Sequence, residues 1–337
     1  MKKRTATYIG ILWILLGSGC THYFNGVEEN TPVGNFEALW QIVDSRYCFM
    51  DDKNVDWQTV HDTLLPKIKT LDSKDNLRLF DYMAGMLNLL EDGHVNLYSN
   101  FDQSRCSKWY EGYPENFNWE IIKNKYLKNY RYAGGVHYAV LPDDSIGYIY
   151  CESFENAVSP SNMYYILTSF KNCKGLILDV RNNGGGNMEY ARQLAATFFS
   201  ESRTVGFWQH KSGPGHQDFS PLREQTIERD AMPNKWFRPV VVLCNRHTYS
   251  AANFFASAMR YADNCLLVGG ISGGGGGMPM SYELPNGWLV RFSSIRMFDA
   301  DKKSIEPGIT PHVTVTCTSE DRDDIIDRAI KLIHNAK

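Results

Sequence analysis

Three short runs of almost purely apolar residues, each followed by helical spacing or a break, constrain this chain of 337 residues more than any other feature. Gly175 to Arg181 opens Gly-Leu-Ile-Leu, 239–244 reads Pro-Val-Val-Val-Leu-Cys, and 265–269 reads Cys-Leu-Leu-Val-Gly. A strand that is apolar on both faces has to be covered on both, as the interior strands of a parallel sheet are. Helical segments at 158–171, 188–200 and 250–262 alternate with these runs, and Ile146 to Cys151 supplies an earlier strand. The alternation predicts an α/β layered core with mainly parallel pairing over 146–337. Within it, Pro285-Asn286-Gly287 joins two strands as a hairpin, and a last helix is expected over about 320–335.

Ahead of the core the period changes to that of helices. Phe36, Leu39, Trp40 and Val43 recur at spacings of three and four, as do Leu79, Met83, Met86, Leu87 and Leu90. Three helices, at about 33–48, 57–70 and 75–91, predict a small N-terminal helical domain over 33–94. Residues 95–145 form a connecting region of loop and strand, rich in aromatics (Trp109, Tyr110, Tyr113, Phe117, Trp119). They either cover a cleft or pack on the core. The first residues are a separate object. Lys2, Lys3 and Arg4 precede an apolar run from Tyr8 to Leu16, then Gly17, Ser18, Gly19 and Cys20. This is the build of a secretory signal over 1–19, too short to be a spanning helix. The cysteine after small residues resembles a bacterial lipobox, although Gly17 stands where an aliphatic residue is usual. Lipidation of Cys20, with a polar tether over 20–32, is therefore expected; a plain cleaved signal or an uncleaved anchor is the alternative. Membrane contact would then run only through the N-terminal lipid, in the cell envelope, facing the periplasm or the outside.

A net charge of -3 and a pI near 6.3 give no field that would gather nucleic acid. The seven cysteines beyond Cys20 include no close pair and do not read as a disulfide framework. Neither C-x-x-C nor H-E-x-x-H occurs, so no metal or organic cofactor is expected.

Three segments could carry chemistry. In His247-Thr248-Tyr249-Ser250-Ala251-Ala252, Ser250 falls where a buried strand turns into a helix. A hydroxyl there projects above the carboxyl end of the sheet, beside unpaired helix-start N–H groups able to hold an oxyanion. The same position suits a plain helix cap. In Leu178-Asp179-Val180-Arg181-Asn182-Asn183-Gly184-Gly185-Gly186, a glycine run lets backbone amides approach a bound atom, or simply makes a tight turn. It fits neither a dinucleotide fingerprint nor a P-loop. In Glu91-Asp92-Gly93-His94, His94 sits past a helix end, fit for general-base work or exposed on the surface.

Taken in this order, with Gly147-Tyr148-Ile149 and Glu306-Pro307-Gly308-Ile309-Thr310-Pro311, these segments resemble the tail-specific proteases, the family of carboxyl-terminal processing proteases and the tricorn core. The resemblance covers roughly 33–317. It implies a crotonase/ClpP-like core, a serine peptidase acting on polypeptide, Ser250 as nucleophile, and an oxyanion hole from amides near Gly185 and Ala251. Many members use a lysine as base, in a segment that here reads Gly269-Gly270-Ile271-Ser272-Gly273 to Gly277 and contains none. The tricorn-like branch takes a histidine matching His94, oriented by a glutamate matching Glu306, so a Ser250–His94–Glu306 site is what the resemblance implies. Gly93, Asn253 and His312 depart from the family's usual serine, glutamate and aspartate. About fifty residues separate His94 from Ile146, too few for the PDZ domain that many members carry. The five-glycine run at 273–277 suggests a mobile loop beside the site or a passive connector. Two other readings stay open: a ligand- or peptide-binding protein of weak or lost activity on the same fold, and a hydrolase of another acyl compound.

Overall fold

The computed structural model describes residues 29–142 and 145–336; the leader and Cys20 lie outside them. Helices α1 (Pro32–Arg46), α2 (Trp57–Ile68) and α3 (Asn76–Asn88) open the chain and lead to strand β1 (Asn96–Tyr98). After α4 (Trp119–Ile121) come β2 (Arg131–Ala133), β3 (Val136–Val140), β4 (Ile146–Cys151), α5 (Pro160–Ser169), β5 (Gly175–Asp179) and α6 (Met188–Ala195). Then follow β6 (Arg203–His210), β7 (Arg223–Ile227), β8 (Val240–Cys244), α7 (Ala251–Met259), β9 (Cys265–Gly269), β10 (Gly277–Glu283), β11 (Leu289–Asp299), β12 (Val313–Thr314) and α8 (Asp324–Asn335).

The apolar runs become the middle of a seven-stranded sheet ordered β12-β9-β8-β5-β4-β3-β2. Pairing is parallel from β12 through β4 and antiparallel at the β4–β3–β2 edge. Every residue of β4, β5 and β8 is buried, which is why their sequences carry no polar face. One face packs on α5, α6 and α7 through Met163, Leu194 and Phe255, and the other on α8 through Ile326 and Ala329. Local chemistry sets the helix starts: Ser159 and Asn162 form a reciprocal capping box ahead of α5, with Pro160 at its first position.

A second, antiparallel sheet runs β1-β11-β6-β7, with β10 also on β11. Sequence reading missed β6 and β7, because the stretch between 201 and 238 is too polar to carry a burial pattern. The three N-terminal helices fall where their spacing predicts, yet they share a core rather than owning one. Phe36, Leu39, Met83 and Leu87 close on Leu284, Trp288, Val290 and Phe292 from the β10–β11 hairpin. That shared core ties the segment before His94 to the C-terminal half of the chain.

Candidate active site

Ser250 is the hinge between β8 and α7. Its backbone sits at φ 56° and ψ −120°, a region that strains any residue with a side chain by about 1–3 kcal/mol. The surroundings over-determine it. Ser250 N–H donates to the Gly274 carbonyl at 2.9 Å, Tyr249 N–H to the Asn183 carbonyl at 3.0 Å, and Gly273 N–H to the Thr248 carbonyl at 2.8 Å. Thr248 Oγ1 in turn donates to the Val180 carbonyl at 2.8 Å, locking the turn to the end of β5. So held, the Ser250 side chain makes no capping bond to α7, and its Oγ lies 3.0 Å from His94 Nε2. The helix-cap reading of Ser250 and the surface reading of His94 both fail. Those two residues are 156 positions apart in the chain, and His94 is 5% exposed.

The glycine run after β5 lies against this turn. A Cβ on Gly185, at φ 106°, would stand 2.8 Å from Ser250 Cβ and 3.0 Å from Ala251 N. Only glycine fits that approach. The Gly185 amide itself donates to Asn183 Oδ1 at 2.9 Å, so it is already occupied. Among the described residues, the amides of Gly186 and Ala251 have no acceptor, and Gly186 lines the cavity in front of Ser250. The second run, 273–277, is neither a flap nor a passive connector. It is buried, and a Cβ on Gly274 would lie 1.9 Å from the Glu306 carbonyl. These glycines let the Ser250 turn and the 305–308 segment stack with no side chain between them.

Behind His94 the arrangement departs from the one the resemblance implies. The oxygen on its far ring nitrogen, Nδ1, is Ser293 Oγ of β11 at 3.4 Å. Glu306 does not hydrogen-bond the imidazole: its Oε2 accepts from Gly276 N–H at 2.7 Å, and its Oε1 faces Lys53 Nζ at 3.6 Å. The backbone of His94 is fixed by Asp92, whose Oδ1 accepts from His94 N–H at 2.7 Å and from the Tyr249 hydroxyl at 3.1 Å. Asp92 Oδ2 accepts from the Tyr47 hydroxyl at 2.7 Å. Sequence reasoning passed over Asp92, Ser293, Lys53 and Tyr47. Asp92 stood two residues from His94, and that spacing was the available signal. The others come together only through the shared helix–hairpin core.

The charges follow from this packing. Burial lowers the His94 pKa to about 4, with the Asp92 carboxylate opposing and the Arg291 cation adding to the fall. His94 is therefore held in its neutral form at physiological pH. Burial, then the neighbouring Asp92 carboxylate, raises the Glu306 carboxyl to about 8. Burial also works against ionised Asp92, but Lys53, His94 and its hydrogen bonds outweigh it and hold that carboxyl low. Of the two acids behind the histidine, Asp92 is held towards its charged form and Glu306 towards its protonated one.

In front of Ser250 lies a cavity of about 400 Å³. Trp109 forms one wall, its ring 4.2 Å from that of Tyr249, so part of the aromatic connecting region does cover the cleft. Two of the family departures have structural work. Asn253 Nδ2 donates to the Ile305 carbonyl at 2.9 Å while its Oδ1 accepts from Ser272, and His312 Nδ1 accepts from Leu267 N–H at 2.9 Å. The seven described cysteines are free. Among the described residues no cluster of histidine, cysteine or acid could hold a metal ion, and no helix is long and apolar enough to cross a membrane.

A layered α/β core bearing a serine on a strained strand-to-helix turn, faced by a buried histidine, defines a serine-hydrolase scaffold. The sequence matches the model of peptidase family S41 over residues 145–315 and that of the tricorn protease C1 domain over 29–86. The chain belongs to peptidase family S41. It is 28% identical over 179 residues to the carboxy-terminal processing protease CtpA of Bacillus subtilis, a match covering 52% of this chain and 36% of CtpA. The chain thus spans about a third of the length of the curated relatives it matches. Among solved structures, a putative peptidase from Parabacteroides merdae is 45% identical, covers 90% of this chain and 96% of its own, and superposes with a TM-score of 0.84. Mature CPAF, solved with lactacystin, shares the fold at 12% identity and a TM-score of 0.67, over 91% of this chain and 99% of its own.

Proposed function

We propose that this protein is a serine peptidase that cleaves unfolded or short polypeptides through an acyl-enzyme on Ser250. The observation that carries the proposal is the 3.0 Å approach of Ser250 Oγ to Nε2 of a buried, neutral His94. With its proton on Nδ1 and donated towards Ser293 Oγ, the imidazole leaves the Nε2 lone pair free to accept the serine proton. Ser250 Oγ then attacks the scissile carbonyl, and the oxyanion is held by the amides of Gly186 and Ala251. Collapse of that intermediate breaks the peptide bond as His94 returns the proton to the leaving amine. Water, deprotonated by His94, releases the acyl group and restores Ser250. Glu306 acts at one remove: protonated, it leaves Asp92 as the single negative charge behind the base. No cofactor enters the scheme.

Export and lipidation at Cys20 belong to the same proposal and rest on the leader sequence alone. A cavity of about 400 Å³ has room for a few side chains and not for a folded domain, which supports an extended or short substrate. Purified protein should degrade a permanently unfolded, carboxymethylated substrate and spare the same protein in its folded state. If no peptide or ester is hydrolysed and the purified protein carries a copurified ligand, the binding-protein reading on this fold replaces the peptidase.

A further inference from the structure

Arg291 stands on β11 opposite Asn96 and Ser281, two residues before Ser293, and its side chain lines the cavity that holds Ser250 and His94. Among the described residues its guanidinium has no hydrogen bond, ion pair or ring contact. Arg246, bonded to the backbone of the cavity residue Trp109, shows what a structural arginine does nearby. Arg246 donates to the carbonyls of Trp109, Ser272 and Pro307, and its guanidinium stacks 4.2 Å from the Tyr113 ring. Among the described residues no aspartate or glutamate lines the cavity, and Arg291 is the one lysine or arginine that does. A guanidinium offers a planar fork of N–H donors that matches a carboxylate with two parallel bonds. Left unpaired beside a reactive serine, it is a receptor for an anion carried by whatever the serine attacks.

We propose that Arg291 is a specificity residue that receives a carboxylate of the polypeptide held at Ser250, borne either by an acidic side chain beside the scissile bond or by the free C-terminus of the substrate. The proposal rests on the peptidase reading for its kinetic arm, while its binding arm does not. The indole of Trp109 and the ring of Tyr249 supply an apolar floor for the carbon skeleton that delivers the carboxylate. Pairing also has a consequence for the base. The Arg291 cation helps to lower the His94 pKa, so a carboxylate that neutralises it strengthens the base when a matching substrate is seated.

The test uses two sets of matched peptides, one with glutamate or glutamine on either side of the cleaved bond, the other with a free or amidated C-terminus. In the wild-type protein, kcat/KM for the carboxylate member of at least one set should exceed its neutral partner about tenfold or more. In Arg291→Gln that ratio should fall to about one, and in Arg291→Lys, which keeps the charge but not the fork, it should lie between. The set that responds identifies the source of the carboxylate. Wild-type ratios near one in both sets overturn the proposal. Should no peptide be cleaved, the peptidase reading fails but Arg291 is still decided, by calorimetric titration of the same peptides onto Ser250→Ala and Ser250→Ala/Arg291→Gln. Weaker binding of only the carboxylate members to the double variant supports the proposal, and equal binding ends it.

Discussion

The two sides of His94 are built differently. Its Nε2 faces a turn at the end of the parallel sheet, where the ends of β5 and β8 and the glycine runs converge within hydrogen-bond range of one another. Its Nδ1 faces the joint between the N-terminal helices and the antiparallel hairpin, where Ser293, Asp92, Lys53 and Glu306 arrive from four segments. The first side is strained, and one conformation of Ser250 is held by backbone hydrogen bonds together with the Thr248 hydroxyl. The second is a field of side chains and protons, adjustable by pH and by single substitutions. The geometry of Ser250 is thus a property of the fold, whereas the charge state of His94 is set by a few exchangeable residues.

That contrast breaks most readily on the sheet side. Gly185→Ala forces a methyl group into Ser250 and Ala251, so hydrolysis should fall by at least about 10²-fold, the scale of a lost oxyanion donor. Steady-state kinetics on a protein with unchanged circular dichroism checks this; retained activity would mean the turn is softer than its hydrogen bonds imply.

On the other side, two substitutions separate the residue that touches the imidazole from the one that sets its surroundings. Ser293→Ala removes the acceptor of the Nδ1 proton and should lower kcat about fivefold, the equivalent of roughly 1 kcal/mol. Glu306→Gln puts a neutral amide where burial and Asp92 already favour the protonated acid, and should change kcat at pH 7 less than twofold. The reverse order of effects would return Glu306 to the imidazole.

A separate effect is on stability. Glu306 binds its proton more tightly in the folded chain, so its contribution is fully present below pH 4.5 and is lost as pH rises towards about 8. His94, with its pKa lowered, contributes above pH 6.5 and loses that contribution as pH falls towards about 4. Thermal melts should therefore show a wild-type decline in Tm between pH 6 and 9 that Glu306→Gln reduces. Identical slopes would contradict the raised carboxyl.

Legibility in the sequence follows the same division. The parallel strands, the position of Ser250 and the glycine run after β5 could be read locally, because each depends on neighbours within a dozen residues. His94 could be nominated only through the family pattern, since nothing local distinguishes it from a surface histidine past a helix end. Ser293 and Arg291 alternate along β11 with Val290 and Phe292, residues that look merely like one face of a strand. Their place beside His94 depends on which layer that strand faces, and for Ser293 pairing across 199 positions decides it. The run 273–277 misled for a related reason. Five glycines give freedom in an isolated peptide, but here they give clearance between two buried backbones.

The most direct measurement is labelling of the purified protein with a fluorophosphonate, the adduct mapped by mass spectrometry, in the wild type, Ser250→Ala and His94→Ala. A single adduct on Ser250, absent from Ser250→Ala and slowed about 10³-fold or more in His94→Ala, is the result expected of an activated serine with a buried base. An adduct elsewhere, or labelling of Ser250 that is indifferent to His94, would contradict the pairing on which the account rests.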